Sequence, residues 1–391
     1  MKKKDAFLVI LGILFISFNL RAPITAVGSI VDLIQAEYGL SNAAAGSITT
    51  LPLLAFAVVS PFVAKLSGKI GHAKTMMAGL FLILAGEIVR SYTGAAGLFL
   101  GTAIIGVGIA IGNVIIPGII KLYFPESVGK VTSVYTSGMC IFAAVGAGIS
   151  VPVAEGLNLG WKNALAGWFI LTSITILIWH PQVRGSRTAA SGAAKPAGKT
   201  SIWKSPLAWW VTLFMGVQSL LFYSLVAWLP TIVTSKGMTA GFAGSMALLF
   251  QLMAIPATLL IPSLCDKFKD QRILACVTCL IYVSGMVCFW LGSSSMLITA
   301  AVVLMAIGMG GSISLSIAFI SLRSPSSARA SELSGMSQSA GYLLAAVGPI
   351  VTGFISDVTG SWTIPLLLFI ALIVFLAFCG LTAGSNKTVD E

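Results

Sequence analysis

Twelve apolar segments, each long enough to cross a lipid bilayer, constrain this chain of 391 residues more than any other feature. A transmembrane helix needs about 20 apolar residues, because the hydrocarbon core is about 30 Å thick. Only 9% of the residues are charged, whereas soluble domains have about 25%. The sequence therefore predicts an all-α integral membrane protein with twelve transmembrane helices in two six-helix bundles. The segments are 6–31, 42–64, 75–92, 96–120, 128–152, 163–180, 207–230, 240–263, 272–292, 295–320, 332–355 and 361–382.

The grouping of these segments predicts the domains and the topology. An N-terminal bundle covers 1–180, a linker covers 181–206, and a C-terminal bundle covers 207–391. The linker is basic and otherwise rich in small residues, which favours a flexible chain. With the N-terminus in the cytoplasm, nineteen of the 23 Lys and Arg residues lie on the cytoplasmic side, as the positive-inside rule requires. The net charge thus reflects the topology of a multi-pass protein of the cytoplasmic membrane with both termini cytoplasmic, and not a nucleic-acid partner.

The two halves of the chain repeat each other. Gly39-Leu40-Ser41, followed by Gly46-Ser47, recurs as Gly237-Met238-Thr239, followed by Gly244-Ser245. A second pair is Ala-Ala-Val-Gly at 143–146 and at 345–348. A parallel repeat of six spans is the plan of a two-bundle secondary transporter. We expect the two bundles to be related by a pseudo-two-fold axis along the membrane normal.

Two motifs make the sequence resemble a known family. The major facilitator superfamily has a loop motif, Gly-x-x-x-Asp-Arg-x-Gly-Arg, and degraded copies of it lie at 64–72, where Gly68 replaces the aspartate, and at 262–269, where Asp266 is kept. The stretch Asn-Leu-Arg-Ala-Pro-Ile-Thr-Ala-Val-Gly at 19–28 resembles the cyanate and nitroimidazole transporter family, which usually has the proline directly after the arginine. The resemblance implies the major facilitator fold and a cavity lined mainly by spans 1, 4, 7 and 10.

Arg21 lies a little past the middle of the first apolar segment. An arginine at that depth costs about 2.5–3.5 kcal/mol on insertion scales. Ser17, Arg21, Thr25 and Gly28 share one helix face by their spacing. We expect this face to line a water-filled cavity, where Arg21 anchors an anionic group of the solute. The alternative is that Arg21 pairs with a buried carboxylate.

Further polar side chains inside the predicted spans complete a candidate solute-binding site. Amides and tyrosines in lipid are rare, so each is read as a solute contact or as an interhelical hydrogen bond. The candidate solute-binding residues are Arg21, Asn19, Thr25, Asn113, Gln218, Tyr223, Gln251, Gln338 and Tyr342.

Charged residues also predict a coupling site and an inner gate. Glu87 is a carboxylate well inside a span, and it is either a proton-coupling acid or the partner of Arg90 in an i, i+3 ion pair. Asp266, Lys267 and Lys69 belong to the two loop motifs and are the predicted gate residues. We expect Asp266 to form an ion pair that depends on the conformational state.

No pattern in the sequence predicts an enzyme, a metal site or a cofactor. Cys276-x-x-Cys279 has no second pair, so buried thiols are the better interpretation. The leading prediction is a monomeric secondary transporter that moves a small anionic or polar solute across the lipid bilayer by alternating access, with protons as a candidate coupling ion. The alternatives are an exporter of nitroimidazole-like or other drug-like compounds, and a channel.

Overall fold

The computed structural model of the protein describes residues 3–40, 42–185 and 201–391. The core of the predicted linker, 186–200, and Ser41 of the internal repeat lie outside the described residues.

Fifteen α-helices are present in these described ranges, with one π-helical turn at Pro152–Gly156 and one 3-10 turn at Ile202–Lys204. The helices are α1 (Lys3–Asn19), α2 (Ala22–Gly28), α3 (Val31–Tyr38), α4 (Asn42–Ile70), α5 (His72–Tyr92), α6 (Gly94–Tyr123), α7 (Val128–Val151), α8 (Gly160–Ala166), α9 (Trp168–Gly185), α10 (Pro206–Ser235), α11 (Ala240–Cys265), α12 (Arg272–Leu291), α13 (Ser295–Leu322), α14 (Ser327–Thr359) and α15 (Thr363–Ala383).

Twelve segments of the described chain are long and apolar enough to cross a membrane. Each overlaps one of the twelve segments predicted from the sequence, so the predicted all-α fold with twelve transmembrane helices is confirmed. Two of these segments contain more than one α-helix. The first contains most of α1 and all of α2, and the sixth contains α8 and most of α9.

The chain divides into two compact units. Unit 1 comprises Met1–Pro125, Ser137–Lys199 and Ser326–Ser339, and unit 2 comprises Glu126–Thr136, Thr200–Pro325 and Ala340–Glu391. Each unit therefore contains most of one predicted bundle together with the first turns of a helix from the other half of the sequence. These exchanged turns are the beginnings of α7 and α14.

Glycines allow the closest helix approach in unit 1. A Cβ atom added to Gly101 of α6 would collide with the backbone of Arg90 on α5, and a Cβ atom on Gly86 of α5 would lie 2.7 Å from the carbonyl oxygen of Gly101. Small residues at such crossings let two backbones come into contact. This contact fixes α5, and with it the buried side chains of Glu87 and Arg90.

Candidate functional site

The first membrane span is interrupted at Arg21. Helix α1 ends at Asn19, Leu20 and Arg21 form a turn, and α2 begins at Ala22. Arg21 has φ −128° and ψ −45°, which lies outside the helical range. The cause is local, because Pro23 has no N–H to donate to the carbonyl group four residues before it. The expectation of one continuous first helix is therefore wrong.

The interruption also divides the polar face expected from helical spacing. Ser17 is fully buried, donates a hydrogen bond of 2.6 Å to the carbonyl of Leu14, and packs against Gly138 of α7. Arg21 and Thr25 are only half-buried, and the Thr25 hydroxyl donates to the carbonyl of Arg21 at 3.2 Å. Ser17 therefore belongs to the packing between helices, and the polar surface begins at the break itself.

Helix α7 contributes an aromatic contact to the end of α1, just before Arg21. The rings of Phe18 and Phe142 are stacked with their centroids 3.7 Å apart and their planes within 14°. Sequence reasoning missed this stacked pair, although Phe18 is only three residues before Arg21. Phe18, three residues before Arg21, therefore packs against α7.

Asn19 is buried and is engaged by other side chains of unit 1. Its Nδ2 donates to the carbonyl of Phe15 at 2.8 Å and to the Thr175 hydroxyl at 2.7 Å. Its Oδ1 accepts a hydrogen bond of 2.7 Å from the Thr172 hydroxyl. The amide of Asn19 therefore ties the end of α1 to α9, directly before the break.

Glu87 and Arg90 lie on either side of the same break. Both are fully buried, and the Glu87 oxygens lie 2.9 and 3.1 Å from the Thr172 hydroxyl, which also contacts Asn19. Arg90 Nη1 donates to the carbonyl of Pro23 at 2.5 Å, at the start of α2. Within the described residues, no Arg90 nitrogen lies within 4.0 Å of a Glu87 oxygen, which is the longest distance for an ion pair. The direct i, i+3 ion pair considered from the sequence is therefore not present.

The threonines of this network carry only a weak sequence signal. Thr172 and Thr175 are buried hydroxyl residues in the sixth span. A threonine inside a helix usually bonds the carbonyl four residues before it, and both do so here with Trp168 and Leu171. Spacing alone therefore cannot show that a threonine also contacts a distant carboxylate.

Each unit contains a buried glutamine whose side-chain oxygen has no hydrogen-bond donor among the described residues. In unit 1, Gln338 of α14 is buried, and its Oε1 has no hydrogen-bond partner in the described chain. In unit 2, Gln218 of α10 donates from Nε2 to the Ser219 hydroxyl at 2.7 Å, and its Oε1 also lacks a partner there. An unsatisfied buried acceptor costs about 1–3 kcal/mol. The Oε1 of each glutamine can therefore accept a hydrogen bond from a molecule other than the described chain.

The remaining predicted solute contacts have different environments. Asn113 is buried on α6, and its backbone carbonyl accepts a hydrogen bond of 3.1 Å from Ser334. In unit 2 the rings of Tyr223 and Tyr342 are 6.3 Å apart. Gln251 of α11 is half-buried and forms no side-chain hydrogen bond with described residues. The structure therefore brings the two tyrosines together.

Asp266, at the end of α11, contacts the start of α7 within unit 2. Its two carboxylate oxygens accept hydrogen bonds from the backbone N–H groups of Gly129 and Lys130, at 2.8 and 3.0 Å. The first N–H groups of a helix have no partner inside the helix and favour a negative charge. The contact is therefore with backbone amides and not with a cationic side chain. Lys267 and Lys69 are exposed, and in the described ranges neither side chain forms a hydrogen bond or an ion pair.

Unit 1 has a different contact at the corresponding position of the repeat. Gly68 has no carboxylate, and a histidine on the next helix reaches the start of α14 instead. His72 Nε2 lies 2.8 Å from the hydroxyl of Ser327, which donates to the carbonyl of Gly118 at 2.7 Å. At this repeated position, unit 2 therefore uses a carboxylate, whereas unit 1 uses an imidazole–hydroxyl pair.

Comparisons with known proteins agree on the family. The model of the Major Facilitator Superfamily matches residues 9–349. The chain is 46% identical over 390 residues to the uncharacterized transporter YycB of Bacillus subtilis, covering 100% of this chain and 96% of the relative. It is 40% identical over 388 residues to the 2-nitroimidazole transporter of Escherichia coli, covering 99% and 98%. It is 24% identical over 356 residues to the cyanate transport protein CynX of Escherichia coli, covering 90% and 91%.

The solved structures that it resembles have the same fold. The proton:xylose symporter XylE superposes with a TM-score of 0.80 at 12% identity, covering 100% of this chain and 99% of that one.

Proposed function

The chain belongs to the major facilitator superfamily of small-solute transporters, which are not enzymes, and from this premise we propose that it is a secondary carrier whose solute binds through an anionic group at Arg21. The observation that carries the proposal is the half-buried guanidinium at the break between α1 and α2. It follows Phe18 by three residues, and the Phe18 ring stacks on that of Phe142.

The chemistry of this position favours a small planar oxyanion or nitro compound. A guanidinium is a planar donor that binds two oxygens at once. Phe18, three residues before Arg21, supplies an aromatic ring that suits a delocalised solute ring, because offset stacking is favourable. The names of two relatives are consistent with this chemistry, since 2-nitroimidazole has a planar nitro group on a ring and cyanate is a small anion.

We propose secondary roles for the other candidate residues. Gln218 or Gln338 accepts a hydrogen bond from a solute that has an N–H group, as 2-nitroimidazole does, because each has a buried Oε1 without a partner within the described residues. Thr25, Asn113, Gln251, Tyr223 and Tyr342 remain predicted contacts, and Asn19 fixes the end of α1 because its amide is engaged with Thr172 and Thr175.

Protons are the proposed coupling ion, with Glu87 as their site. The Thr172 hydroxyl has one hydrogen but faces both Asn19 Oδ1 and the Glu87 carboxyl group. When Glu87 is protonated, it donates to Thr172, and Thr172 donates to Asn19. When Glu87 is ionised, Thr172 donates to Glu87 instead, and Asn19 Oδ1 loses its donor. The protonation state thereby changes the support of α1 next to Arg21.

Alternating access is proposed to use the contacts at the starts of α7 and α14. Asp266 holds the first turn of α7, and His72 contacts Ser327 at the first turn of α14. Both are short polar contacts, so they can break and re-form at a small cost in free energy.

The proposal is tested by counterflow in proteoliposomes with labelled 2-nitroimidazole and cyanate. A carrier shows saturable exchange of labelled solute against an internal pool, whereas a channel shows flux without exchange. Arg21→Lys keeps the charge but loses the two-pronged donor, so about 1.5–3 kcal/mol of binding free energy is lost. Affinity should fall by about 10- to 150-fold.

Arg272→Lys is the matched control, because Arg272 is exposed and pairs with Asp270 at 3.6 Å. Normal affinity in Arg21→Lys would exclude Arg21 as the anchor. Export of drug-like compounds is the second candidate function, favoured by the relation to the 2-nitroimidazole transporter. It predicts that energised vesicles of inverted orientation accumulate that compound.

A further inference from the structure

A cleft with a volume of about 280 Å³ lies in unit 2 at the end of α10. The positive-inside distribution predicts that this end faces the outside. Its polar and aromatic lining comprises Ser235, Lys236, Trp290, Ser361, Trp362 and Thr363. The cleft shares no residue with the proposed solute site or with the gate contacts.

Lys236 is the cation of this cleft, and it has no anionic partner there. Its Nζ donates to the carbonyls of Trp290 and Gly292, both at 3.0 Å, and lies 5.5 Å from the centre of the Phe289 ring. Partial burial lowers the pKa of Lys236 from its usual value. Within the described chain, no carboxylate oxygen lies within 4.0 Å of the ammonium group. Two of its three N–H groups are used, and the positive charge is not neutralised.

Lys162, a lysine of unit 1, shows what a neutralised cation looks like in this protein. Lys162 Nζ is 2.5 Å from Glu37 Oε1, and Trp161 donates to the other Glu37 oxygen at 2.6 Å. Lys162 also lies near the rings of Tyr38 and Trp161. Both lysines are surrounded by aromatic rings, but only Lys162 has a carboxylate. A ligand could supply the missing anion at Lys236.

The rest of the lining suits an oxyanion at a membrane surface. Three hydroxyl groups line the cleft. Ser235 donates to the carbonyl of Ile232 at 2.7 Å. Ser361 donates to the Thr363 hydroxyl at 3.1 Å, so the Thr363 hydroxyl keeps its hydrogen for a ligand. The indole N–H groups of Trp290 and Trp362 donate no hydrogen bond within the described residues. Tryptophan is typical of the interface between lipid and water. The chain neighbours Leu291 and Ile364 are exposed by 65% and 48%. Donors for an oxyanion therefore lie directly beside apolar surface.

We propose that this cleft binds a phosphate-type oxyanion through Lys236 and the surrounding hydroxyl and indole groups, and that the phosphate belongs to a phospholipid headgroup. The ammonium forms a charge-assisted hydrogen bond with the phosphate. The acyl chains lie against the exposed apolar side chains next to the cleft. Free phosphate has the same binding chemistry but no chains to bury.

The test is thermal unfolding of the purified full-length protein in a neutral detergent. The probes are a short-chain phosphatidylglycerol, the diacylglycerol with the same chains, and inorganic phosphate. We expect a saturable rise in Tm with phosphatidylglycerol and none with diacylglycerol. Lys236→Gln should weaken this binding at least about tenfold, which corresponds to about 1.4 kcal/mol. Lys162→Gln is the matched control and should bind the lipid like the wild type.

Lys236→Arg keeps the charge and should keep the binding, so it separates loss of the site from a general loss of stability. An equal Tm rise in wild type and Lys236→Gln would overturn the proposal. A rise with inorganic phosphate as large as that with phosphatidylglycerol would support the oxyanion site and overturn the lipid source. Counterflow of solute is measured separately, so failure of the cleft proposal is distinguishable from failure of the transport proposal.

Discussion

Asp266→Asn should loosen the contact between the end of α11 and the start of α7. The aspartate accepts two backbone hydrogen bonds, at 2.8 Å from Gly129 and 3.0 Å from Lys130. Asparagine keeps one acceptor oxygen but replaces the other with an NH2 group, so one amide loses its partner. The negative charge at the start of α7 is lost as well.

The size of the effect follows from these two losses. A hydrogen bond to a charged group is worth about 1.5–3 kcal/mol, and a charge at a helix end is worth about 0.3–1 kcal/mol. Asp266 is half-buried and the Lys130 contact is exposed, so solvent screening reduces both values. We therefore expect a loss of about 1–2 kcal/mol, which changes the opening equilibrium about 5- to 30-fold.

Thiol labelling measures this opening. Ser133 of α7 is buried, and its hydroxyl lies 2.9 Å from that of Ser263 on α11. A cysteine at position 133, in a protein whose six native cysteines are replaced, reacts only when the two helices separate. Labelling should be about 5- to 30-fold faster with Asp266→Asn, following the same free energy. Asp270→Asn is the control, because Asp270 is exposed and pairs with Arg272.

Two results would refute this reasoning. An unchanged labelling rate in Asp266→Asn would show that the carboxylate does not hold the two helices together. An equal acceleration by Asp270→Asn would assign the effect to the net charge of the loop.

Three further predictions concern unit 1. Glu87→Gln should abolish the pH dependence of solute uptake in proteoliposomes, and an unchanged pH profile would exclude Glu87 as the proton site. Gly101→Ala should lower the free energy of unfolding by about 1–3 kcal/mol through overpacking, and with it the Tm, because the added Cβ would collide with the backbone of α5. Gly148→Ala is the control and should not lower the Tm, because its Cβ would meet nothing within 4 Å. The hydrogen bond from Lys162 lowers the pKa of Glu37 below 4.5, so this contact stabilises the fold above pH 4.5 and is lost as the pH falls through the lower folded value. As the pH is lowered, the Tm of Glu37→Gln should therefore fall less steeply than the Tm of the wild type.

The membrane spans could be predicted from the sequence alone. Each span is a continuous apolar run, because every backbone polar group in lipid must be satisfied inside its own helix. Length and composition therefore determine the element without reference to its neighbours. The family could also be predicted, from the degraded loop motifs and from residues 19–28.

The chemistry around Arg21 was only partly visible in the sequence. Arg21 and Glu87 were recognised because charges in lipid are rare and costly. Pro23 is also visible in the sequence, but the spacing of Ser17 and Arg21 puts them on one face only in a continuous helix. The break follows from Pro23, but its packing does not, because Arg90 reaches the carbonyl of Pro23 from 67 residues further along the chain.

Tertiary structure alone decided the partners of the polar groups. Thr172 is 153 residues from Asn19 and 85 residues from Glu87 along the chain, and no local pattern encodes such a contact. Asp266 was a predicted gate residue, but its partners are backbone amides 136 and 137 residues away. Every helix start offers such amides whatever its sequence. Packing determines which carboxylate reaches which helix start, because it sets how closely two helices approach.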